Sequence, residues 1–305
     1  MKYLKNIMYA FISTCYQCHI LLTRIELTMI KKNMSTIIEA GHANRNYWYD
    51  LWRFRELFLF LTWRDILVRY KQTVFGILWS VLRPVMTMLV FTFVFGKIAR
   101  LPTEGDVPYA LLVFAAILPW QMFSNALQES SNSLIGNEGL ISKVYFPRII
   151  LPISSIITSA VDFCISFVVF LAMMIFWGVG FHIQLLLLPL FVFLSLLTAI
   201  GAGLVISALN VSFRDFRYII PFIVQFGLYV SPVGFSSSVV PEKWRLLYSL
   251  NPMVGVIDGF RWCLLGENVQ FYWPGFWASI AAVIVLLYSG LKIFRGMERS
   301  FADKI

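Results

Sequence analysis

Two short patterns in this 305-residue chain can be compared with known cofactor-binding and nucleotide-binding motifs. Residues 15–19 read Cys-Tyr-Gln-Cys-His, the C-x-x-C-H order of a c-type haem attachment site. Gly96-Lys97 is the only Gly-Lys pair, but the phosphate-binding loop G-x-x-x-x-G-K-[ST] would also need a glycine where Phe91 stands. The sequence therefore predicts that the chain does not bind ATP through such a loop.

The haem pattern is better explained without a cofactor. Haem attachment requires export of the segment, whereas the Lys and Arg residues around it predict that it stays inside. Cys164 and Cys263 fall in or near apolar segments, so the four cysteines support neither a zinc site nor a disulfide framework. We expect no haem, metal or other cofactor in this chain. We also expect residues 1–33 to be a poorly ordered upstream extension before a natural start at Met34.

The composition is that of a membrane protein. Hydrophobic residues make up 59% of the chain and charged residues 13%, whereas soluble domains carry about 45–50% and about 25%. These values exclude a water-soluble enzyme and a disordered protein. A transmembrane helix needs about 20 mostly apolar residues, and the chain is long enough for six. We place these spans at 74–98, 108–130, 150–178, 185–211, 218–234 and 271–294.

The net charge of +9 could attract nucleic acid or an anionic membrane surface, and the positions of the basic residues decide between the two. With the N-terminus inside, most of the 25 Lys and Arg residues lie on the cytoplasmic side of the six spans. This distribution follows the positive-inside rule and predicts that both termini are cytoplasmic. No compact basic domain remains outside the segments that flank the membrane, so we expect no nucleic-acid partner.

An amphipathic stretch precedes the first span. Tyr47, Leu51, Phe54, Phe58 and Leu61 recur at alternating steps of four and three, which places them on one face of a helix. The stretch also carries charges and three tryptophans, which is typical of a bent helix that lies flat on the cytoplasmic leaflet. Two interpretations remain equally open. The helix packs on another protein element, or it is a slide helix that transmits force from a cytoplasmic partner.

Several ordered segments resemble those of a known family. They are Trp63–Trp79 followed by Arg83-Pro84, Leu140–Arg148, Asn210–Asp215, Leu250–Arg261 and Met297–Asp303. Over about residues 34–305, the chain resembles the permease subunits of ABC exporters for lipid-linked polysaccharides. That family exports O-antigen, capsular polysaccharide and teichoic acid, and the chain is most similar to its O-antigen branch.

The resemblance implies an all-α integral membrane protein with six transmembrane helices, an N-terminal amphipathic interface helix and periplasmic re-entrant gate helices. It implies a homodimer in the inner membrane that works with two copies of a separate ATP-binding cassette subunit. The cargo would be lipid-linked polysaccharide moved from cytoplasm to periplasm, and the chain itself would be no enzyme. We divide it into the extension 1–33, an interface region 34–73, a permease domain 74–294 and a cytoplasmic tail 295–305.

The loop 137–148 is expected to dock on the ATPase. By family analogy it forms a coupling helix that rests in a cleft of the ATPase, with Tyr145 and Phe146 as apolar anchors. Lys143 and Arg148 would lie at the rim of that contact, and Pro147 would end the helix. Plain positive-inside topology explains the two basic residues about equally well, but it explains the Tyr-Phe-Pro motif less well.

Further candidate residues belong to the interface helix and the conduit. The interface-helix residues are Trp63, Arg64, Asp65, Arg69, Tyr70 and Lys71. A polar stripe on the second span lines either a conduit or a dimer seam, because its members share one helix face: Asn125, Gln128, Glu129 and Asn132. The candidates for the gate are Trp244, Tyr248, Asn251, Pro252 and Arg261.

Asp162 is a charge in the middle of the third span, where it must be paired, protonated or facing water. Arg83 in the first span is a possible partner. Alternatively, Arg83 extends to the cytoplasmic surface, as long basic side chains near span ends do.

Three other functions share part of this pattern. A related ABC exporter for a drug, a capsular polysaccharide or a teichoic acid would have the same fold. A membrane glycosyltransferase would need acidic or histidine residues at a membrane face, but His19, His42 and His182 do not converge with any carboxylate cluster. A purely structural membrane protein would have no use for a docking loop.

Overall fold

The computed structural model describes residues 47–71, 76–102, 107–213, 215–266 and 269–301. The expectations for the extension 1–33, the C-x-x-C-H segment at 15–19 and the first part of the interface region lie outside these residues. Within them the chain forms helices and no strand, which confirms the all-α prediction for this part of the chain.

The helices follow one another in chain order. They are α1 Tyr47–Arg53, α2 Arg55–Lys71, α3 Gly76–Phe91, α4 Tyr109–Gly136, α5 Glu138–Ile141, α6 Ile150–Phe176, α7 Leu188–Ser212, α8 Phe216–Val230, α9 Glu242–Tyr248, α10 Pro252–Leu265 and α11 Trp273–Met297. A π-helical segment, Thr92–Ile98, continues α3, and a 3-10 turn, Ile183–Leu187, leads into α7.

Five helical stretches in the described residues are long and apolar enough to cross a membrane. They are Leu78–Ile98, Tyr109–Gly136, Ile150–Phe176, Ile183–Ser212 and Trp273–Met297. The predicted first to fourth and sixth spans are thereby confirmed within several residues.

The predicted fifth span, 218–234, is shorter in the structure. Helix α8 has 15 residues, and at 1.5 Å per residue it reaches only about 22 Å of the about 30 Å hydrocarbon layer. It ends at Val230 because Ser231, which precedes Pro232, takes an extended backbone with ψ of 154°. A residue before proline is driven out of the helical region by steric clash with the proline ring.

Helix α4 is the central helix of the bundle and the most buried of the candidate spans. It packs mainly against α6 and α7, and its apolar side chains from Leu111 to Leu118 are almost completely buried. Helix α7 also meets α11 backbone to backbone. A Cβ added to Gly290 would lie 2.4 Å from the carbonyl oxygen of Gly201. Small residues that allow such a close approach are typical of helix contacts inside membranes.

The predicted amphipathic face is confirmed as a packing face. The stretch is broken at Phe54 into α1 and α2, and Leu61 is fully buried, while Trp48 and Trp52 on other faces are exposed. The face packs on a buried cluster that we call the second core cluster. Its members include Leu61, Leu134, Ile141, Phe146, Ile150, Leu204, Phe294 and Phe301. Helix α2 also contacts α6, so the interface helix is part of the bundle.

Candidate functional site

The carboxylate of Asp162 joins three helices. It lies midway along α6 and is only 7% exposed. Arg69 of α2 approaches with its Nη2 atom 2.8 Å from Oδ2, and the Ser80 hydroxyl of α3 donates to Oδ1 at 2.9 Å. The Tyr70 hydroxyl of α2 donates a second hydrogen bond to Oδ1. Because these donors come from the two helices at the start of the bundle, Asp162 fixes the interface helix to the first and third spans.

The partner of Asp162 is not Arg83, which the sequence suggested as one possibility. Asp162 is paired with Arg69, one helix earlier than Arg83. A second carboxylate oxygen, Oε1 of Glu129, lies 3.6 Å from Nη1 of Arg69. Partial burial and the acceptor Asp162 raise the pKa of the Tyr70 hydroxyl well above its usual value, so Tyr70 remains a hydrogen-bond donor over the whole physiological pH range.

Arg83 points to the polar stripe of α4. Its Nη1 atom lies 3.5 Å from Oδ1 of Asn125, and no carboxylate in the described part of the chain lies within ion-pair distance of it. Asn125, together with Gln128, Glu129 and Asn132, occupies the least buried face of α4. The polar stripe is therefore open at the surface of this single chain.

A cavity of about 410 Å³ lies next to these residues, between α2, α3, α4 and α6. Its lining includes Arg69, Trp79, Ser80, Arg83, Gln121, Asn125 and Asp162. A site of this size holds a small ligand or the polar end of a larger one. Arg83, Trp79, Gln121 and Asn125 bring hydrogen-bond donors to the lining. The carboxylate of Asp162 in the lining is already bonded to Arg69, Tyr70 and Ser80.

The loop expected to dock on a partner is shaped differently from the prediction. Helix α5 is a single turn that ends at Ile141, so the prediction that Pro147 ends it is wrong. The backbone N–H of Val144 bonds to the Leu140 carbonyl at 3.0 Å and closes the turn. The chain then turns inward, and Phe146 enters the second core cluster with 3% exposure.

The exposed part of this loop is therefore short. Tyr145 is 52% exposed, and Lys143 and Val144 are also exposed. Arg148 faces the end of the chain instead of solvent. Its guanidinium donates to the backbone carbonyl of Glu298, and its backbone N–H donates to Oε1 of Glu298 at 2.9 Å.

Glu298 connects this loop to the first helix of the bundle as well. The Tyr47 hydroxyl lies 3.5 Å from Oε1 of Glu298, and the Arg295 guanidinium lies 4.7 Å from the centre of the Tyr47 ring. Burial raises the pKa of the Glu298 carboxyl, although the Arg148 N–H and the Tyr47 hydroxyl stabilise its charged form. The C-terminal turn therefore fastens the docking loop to α1.

The segment after α8 contains the two helices α9 and α10, in the region where the resemblance implies gate helices. Asn251 caps α10, because its Oδ1 accepts the N–H of Met253 at 3.1 Å, and Pro252 takes the first helical position. The Tyr248 hydroxyl at the end of α9 donates to the Val230 carbonyl at 2.8 Å and fixes α9 to the end of α8. Trp244 is 54% exposed on α9.

Arg261 serves as an internal brace. It is 1% exposed, and its guanidinium donates to the carbonyls of Leu112, Phe235 and Val233 at 3.2, 2.8 and 3.0 Å. The planar guanidinium can reach all three because its donors are fixed in a fork. Arg261 thus holds α10, α4 and the turn after α8 together from inside the core.

Comparison with known proteins decides the family. A family model described as "ABC-2 type transporter" matches residues 56–265, which is more than half of the chain. The chain belongs to the ABC-2 type transporter family. The match includes the Asp162 cluster, the polar stripe, the docking loop and most of the segment after α8. Family membership and five apolar helices make this chain a multi-pass membrane protein.

Individual relatives match this ABC-2 type transporter over nearly their whole length. The O-antigen export system permease protein RfbA of Klebsiella pneumoniae is 25% identical over 256 residues, which covers 84% of this chain and 97% of that protein. RfbA of Myxococcus xanthus is 26% identical over 259 residues, with 84% and 98% covered. The capsule polysaccharide export inner-membrane protein CtrC of Neisseria meningitidis is 23% identical over 239 residues, with 76% and 88% covered.

Two residues that hold this ABC-2 type transporter together, Ser80 beside Asp162 and Glu298 beside Arg148, could not be identified from the sequence. Ser80 carries no signal in the sequence, since a serine near the start of an apolar span is common. Glu298 stands in the tail motif from Met297 to Asp303, but its contact with Arg148 spans 150 residues and no local pattern marks it. The charge of Asp162 within a span did indicate that it is paired, protonated or facing water, and the structure shows it paired with Arg69.

Proposed function

We propose that this chain is the membrane permease subunit of an inner-membrane ABC exporter that moves lipid-linked polysaccharide of the O-antigen type from cytoplasm to periplasm. The observation that carries the proposal is the match to the two O-antigen export permeases over 97% and 98% of their length. The match to CtrC supports capsular polysaccharide as the second candidate cargo.

A separate ATP-binding cassette subunit supplies the energy in this proposal. The chain lacks the glycine that a phosphate-binding loop would need at Phe91, and the family is that of ABC-2 type transporters. Lys143, Val144 and Tyr145 form the part of the docking loop that is free to touch this subunit. The loop is held in place from behind by Phe146 and by the contacts of Arg148 with Glu298.

The working unit in this proposal is a homodimer with two ATPase copies. The polar stripe of α4 and the Arg83 side chain are open in one chain, and charged or amide side chains are costly against lipid. A second copy of the chain removes that cost by covering the stripe or by enclosing a water-filled path. Helix α8 presents a neighbouring surface of large rings, with Tyr218, Phe222, Phe226 and Tyr229 more than half exposed.

Membrane topology completes the proposal. We assign α8 as the short fifth of six spans, with both termini cytoplasmic as the basic residues predict. Helices α9 and α10 then form re-entrant gate helices on the periplasmic side. Asn251 caps the start of α10, and Arg261 donates to the carbonyls of Val233 and Phe235 in the turn before α9. These contacts satisfy backbone polar groups within the protein, which irregular backbone at membrane depth requires.

Deletion of the gene in its own host tests the proposed function. The expected result is loss of the long-chain surface glycan together with accumulation of lipid-linked polymer in the cytoplasm, and the wild-type gene should restore export. The accumulated polymer is needed as a readout because it separates failed export from failed synthesis. A deletion strain with unchanged surface glycans of every class would overturn the proposal. Native mass spectrometry of the purified complex should show two permease and two ATPase chains.

A further inference from the structure

The cavity between α2, α3, α4 and α6 has an unusual balance of charge. Both carboxylates near it, those of Asp162 and Glu129, are within 4 Å of Arg69. Arg83 lines the same cavity, and its recorded contact in the described residues is with the neutral amide of Asn125. Arg69 engages the acidic groups, and Arg83 is exposed at the cavity with no carboxylate partner among the described residues. Its guanidinium is therefore available to an anion that enters the cavity.

The other polar groups on the wall favour an oxyanion. The Asn125 amide accepts from Arg83 through Oδ1, which leaves its NH2 group to donate. Gln121 and the indole of Trp79 add further donors to the lining. A phosphate group offers several acceptor oxygens in a small volume and binds guanidinium groups through paired, charge-assisted hydrogen bonds. The donor-rich wall around Arg83 therefore matches phosphate better than it matches a neutral sugar.

The position of the cavity fits a lipid headgroup. Arg83 lies about 10 Å along α3 from Gly76, at 1.5 Å per residue, and this is the cytoplasmic end of α3 in the proposed topology. Leu118, Met122 and Phe163 give the same cavity an apolar wall. A ligand with a phosphate attached to a hydrocarbon chain would contact both kinds of wall at once.

We propose that this cavity is a subsite for the phosphate group of a lipid-linked substrate, bound by Arg83 with Asn125 as a second donor. Asp162 and Arg69 are positioning residues in this assignment, because they hold α2, α3 and α6 around the cavity. The assignment rests on the proposed function for the identity of the lipid to which the phosphate is attached and for the cytoplasmic position of the cavity.

Binding to the purified permease–ATPase complex tests the subsite. The complex is placed in phosphatidylcholine nanodiscs, and its nucleotide sites are filled with a non-hydrolysable ATP analogue so that they do not bind the probes. The probes are farnesyl pyrophosphate, farnesol with the same tail and no charge, and inorganic pyrophosphate with no tail. We expect farnesyl pyrophosphate to bind more tightly than either of the other two. Equal affinity for farnesol would overturn the phosphate assignment, and equal affinity for inorganic pyrophosphate would overturn the assignment to a lipid.

Variants locate the binding to Arg83. Arg83→Gln should weaken farnesyl pyrophosphate binding by about tenfold or more, the effect of losing a charge-assisted bond of about 1.4 kcal/mol, and leave farnesol binding unchanged. Lys97→Gln is the matched control, because it removes the same charge at the other end of the same helical stretch. Wild-type affinity in Arg83→Gln, or an equal loss in Lys97→Gln, would contradict the proposal.

Asn125→Asp keeps the experiment decisive if Arg83→Gln does not fold. It keeps Arg83 and places a carboxylate at its 3.5 Å contact, so it should neutralise the guanidinium and weaken pyrophosphate binding to a similar extent. The gene deletion separates this inference from the proposed function. Lost surface glycan without an Arg83 effect on binding would refute the subsite alone. Unchanged glycans with a clear Arg83 effect would refute the glycan cargo alone.

Discussion

The backbone N–H of Arg148 donates to the Glu298 carboxylate at 2.9 Å, although the two residues are 150 positions apart. The contact joins the docking loop to the turn that follows α11. Tyr47 at the start of α1 reaches the same carboxylate oxygen at 3.5 Å. These contacts connect the docking loop to α1 and to the end of the last span.

The Glu298 contact predicts a pH dependence of stability. Burial raises the native-state pKa of this carboxyl above its value in the unfolded chain, so its contribution to stability is complete below the unfolded pKa and decreases as the pH rises through the native pKa. Glu298→Gln has no titrating group and keeps an oxygen to accept from Arg148. Thermal unfolding of the purified protein should therefore lose less stability between acidic and neutral pH in Glu298→Gln than in the wild type. Parallel pH profiles for the two proteins would contradict this account.

The contacts of Asp162 with Arg69, Tyr70 and Ser80 predict that a single substitution at Asp162 destabilises the fold strongly. Asp162→Asn removes the charge that pairs with Arg69 and should destabilise the fold by about 2–4 kcal/mol, because Arg69 is left beside a neutral amide. Asp65→Asn is a matched control, since Asp65 also pairs with an arginine at 2.8 Å but is more exposed. That pair should contribute less than about 1 kcal/mol. Thermal unfolding in detergent measures both stability losses. Similar shifts in melting temperature for the two variants would show that the contacts of Asp162 stabilise the fold no more than the more exposed pair does.

The docking loop predicts a loss of assembly without a loss of folding. Tyr145→Ala should reduce co-purification of the ATPase severalfold, because it removes the large exposed ring of the loop. Tyr288→Ala, which removes an exposed tyrosine from α11, should leave co-purification unchanged. Phe146→Ala is a poor test, since emptying a buried site costs about 3–5 kcal/mol and damages the fold itself. Normal ATPase recovery with Tyr145→Ala would remove this residue from the contact.

The close approach of α7 and α11 predicts opposite effects for two glycines of one helix. Gly290→Ala would place a methyl group 2.4 Å from the Gly201 carbonyl oxygen and should destabilise the fold by about 1–3 kcal/mol. Gly296→Ala has open space around its Cβ position, and alanine favours a helix over glycine by up to about 1 kcal/mol. Melting temperatures should therefore fall for the first variant and stay equal or rise for the second. A rise for both would mean that the helices can separate at little cost.

Periodic features of the fold could be predicted from the sequence. The apolar stretches gave the five long spans, and the face from Tyr47 to Leu61 was recognised because helical spacing is a local property of the chain. The predicted fifth span, 218–234, extended beyond the end of α8 at Val230. The effect of Pro232 on Ser231 is local too, and it accounts for the early end at Val230.

Pairings between distant residues could not be predicted. Arg83 was the possible partner that the sequence suggested for Asp162, and only the packing of α2 against α6 brings Arg69 to it instead. Phe146 looked like a surface anchor because nothing near it in sequence reveals the core cluster that it enters. The roles of Glu298 and Arg261 depend on backbone groups far away along the chain, which no motif encodes.

The short length of α8 has a consequence for the lipid around it. As a fifth span of only 15 residues, it would leave several ångströms of acyl chain without a matching protein surface. A bilayer relieves such hydrophobic mismatch by thinning locally, at a modest cost for each ångström. The two leaflets would therefore come closest to each other beside this helix, and an amphiphile that changes leaflets there would have the shortest distance to travel.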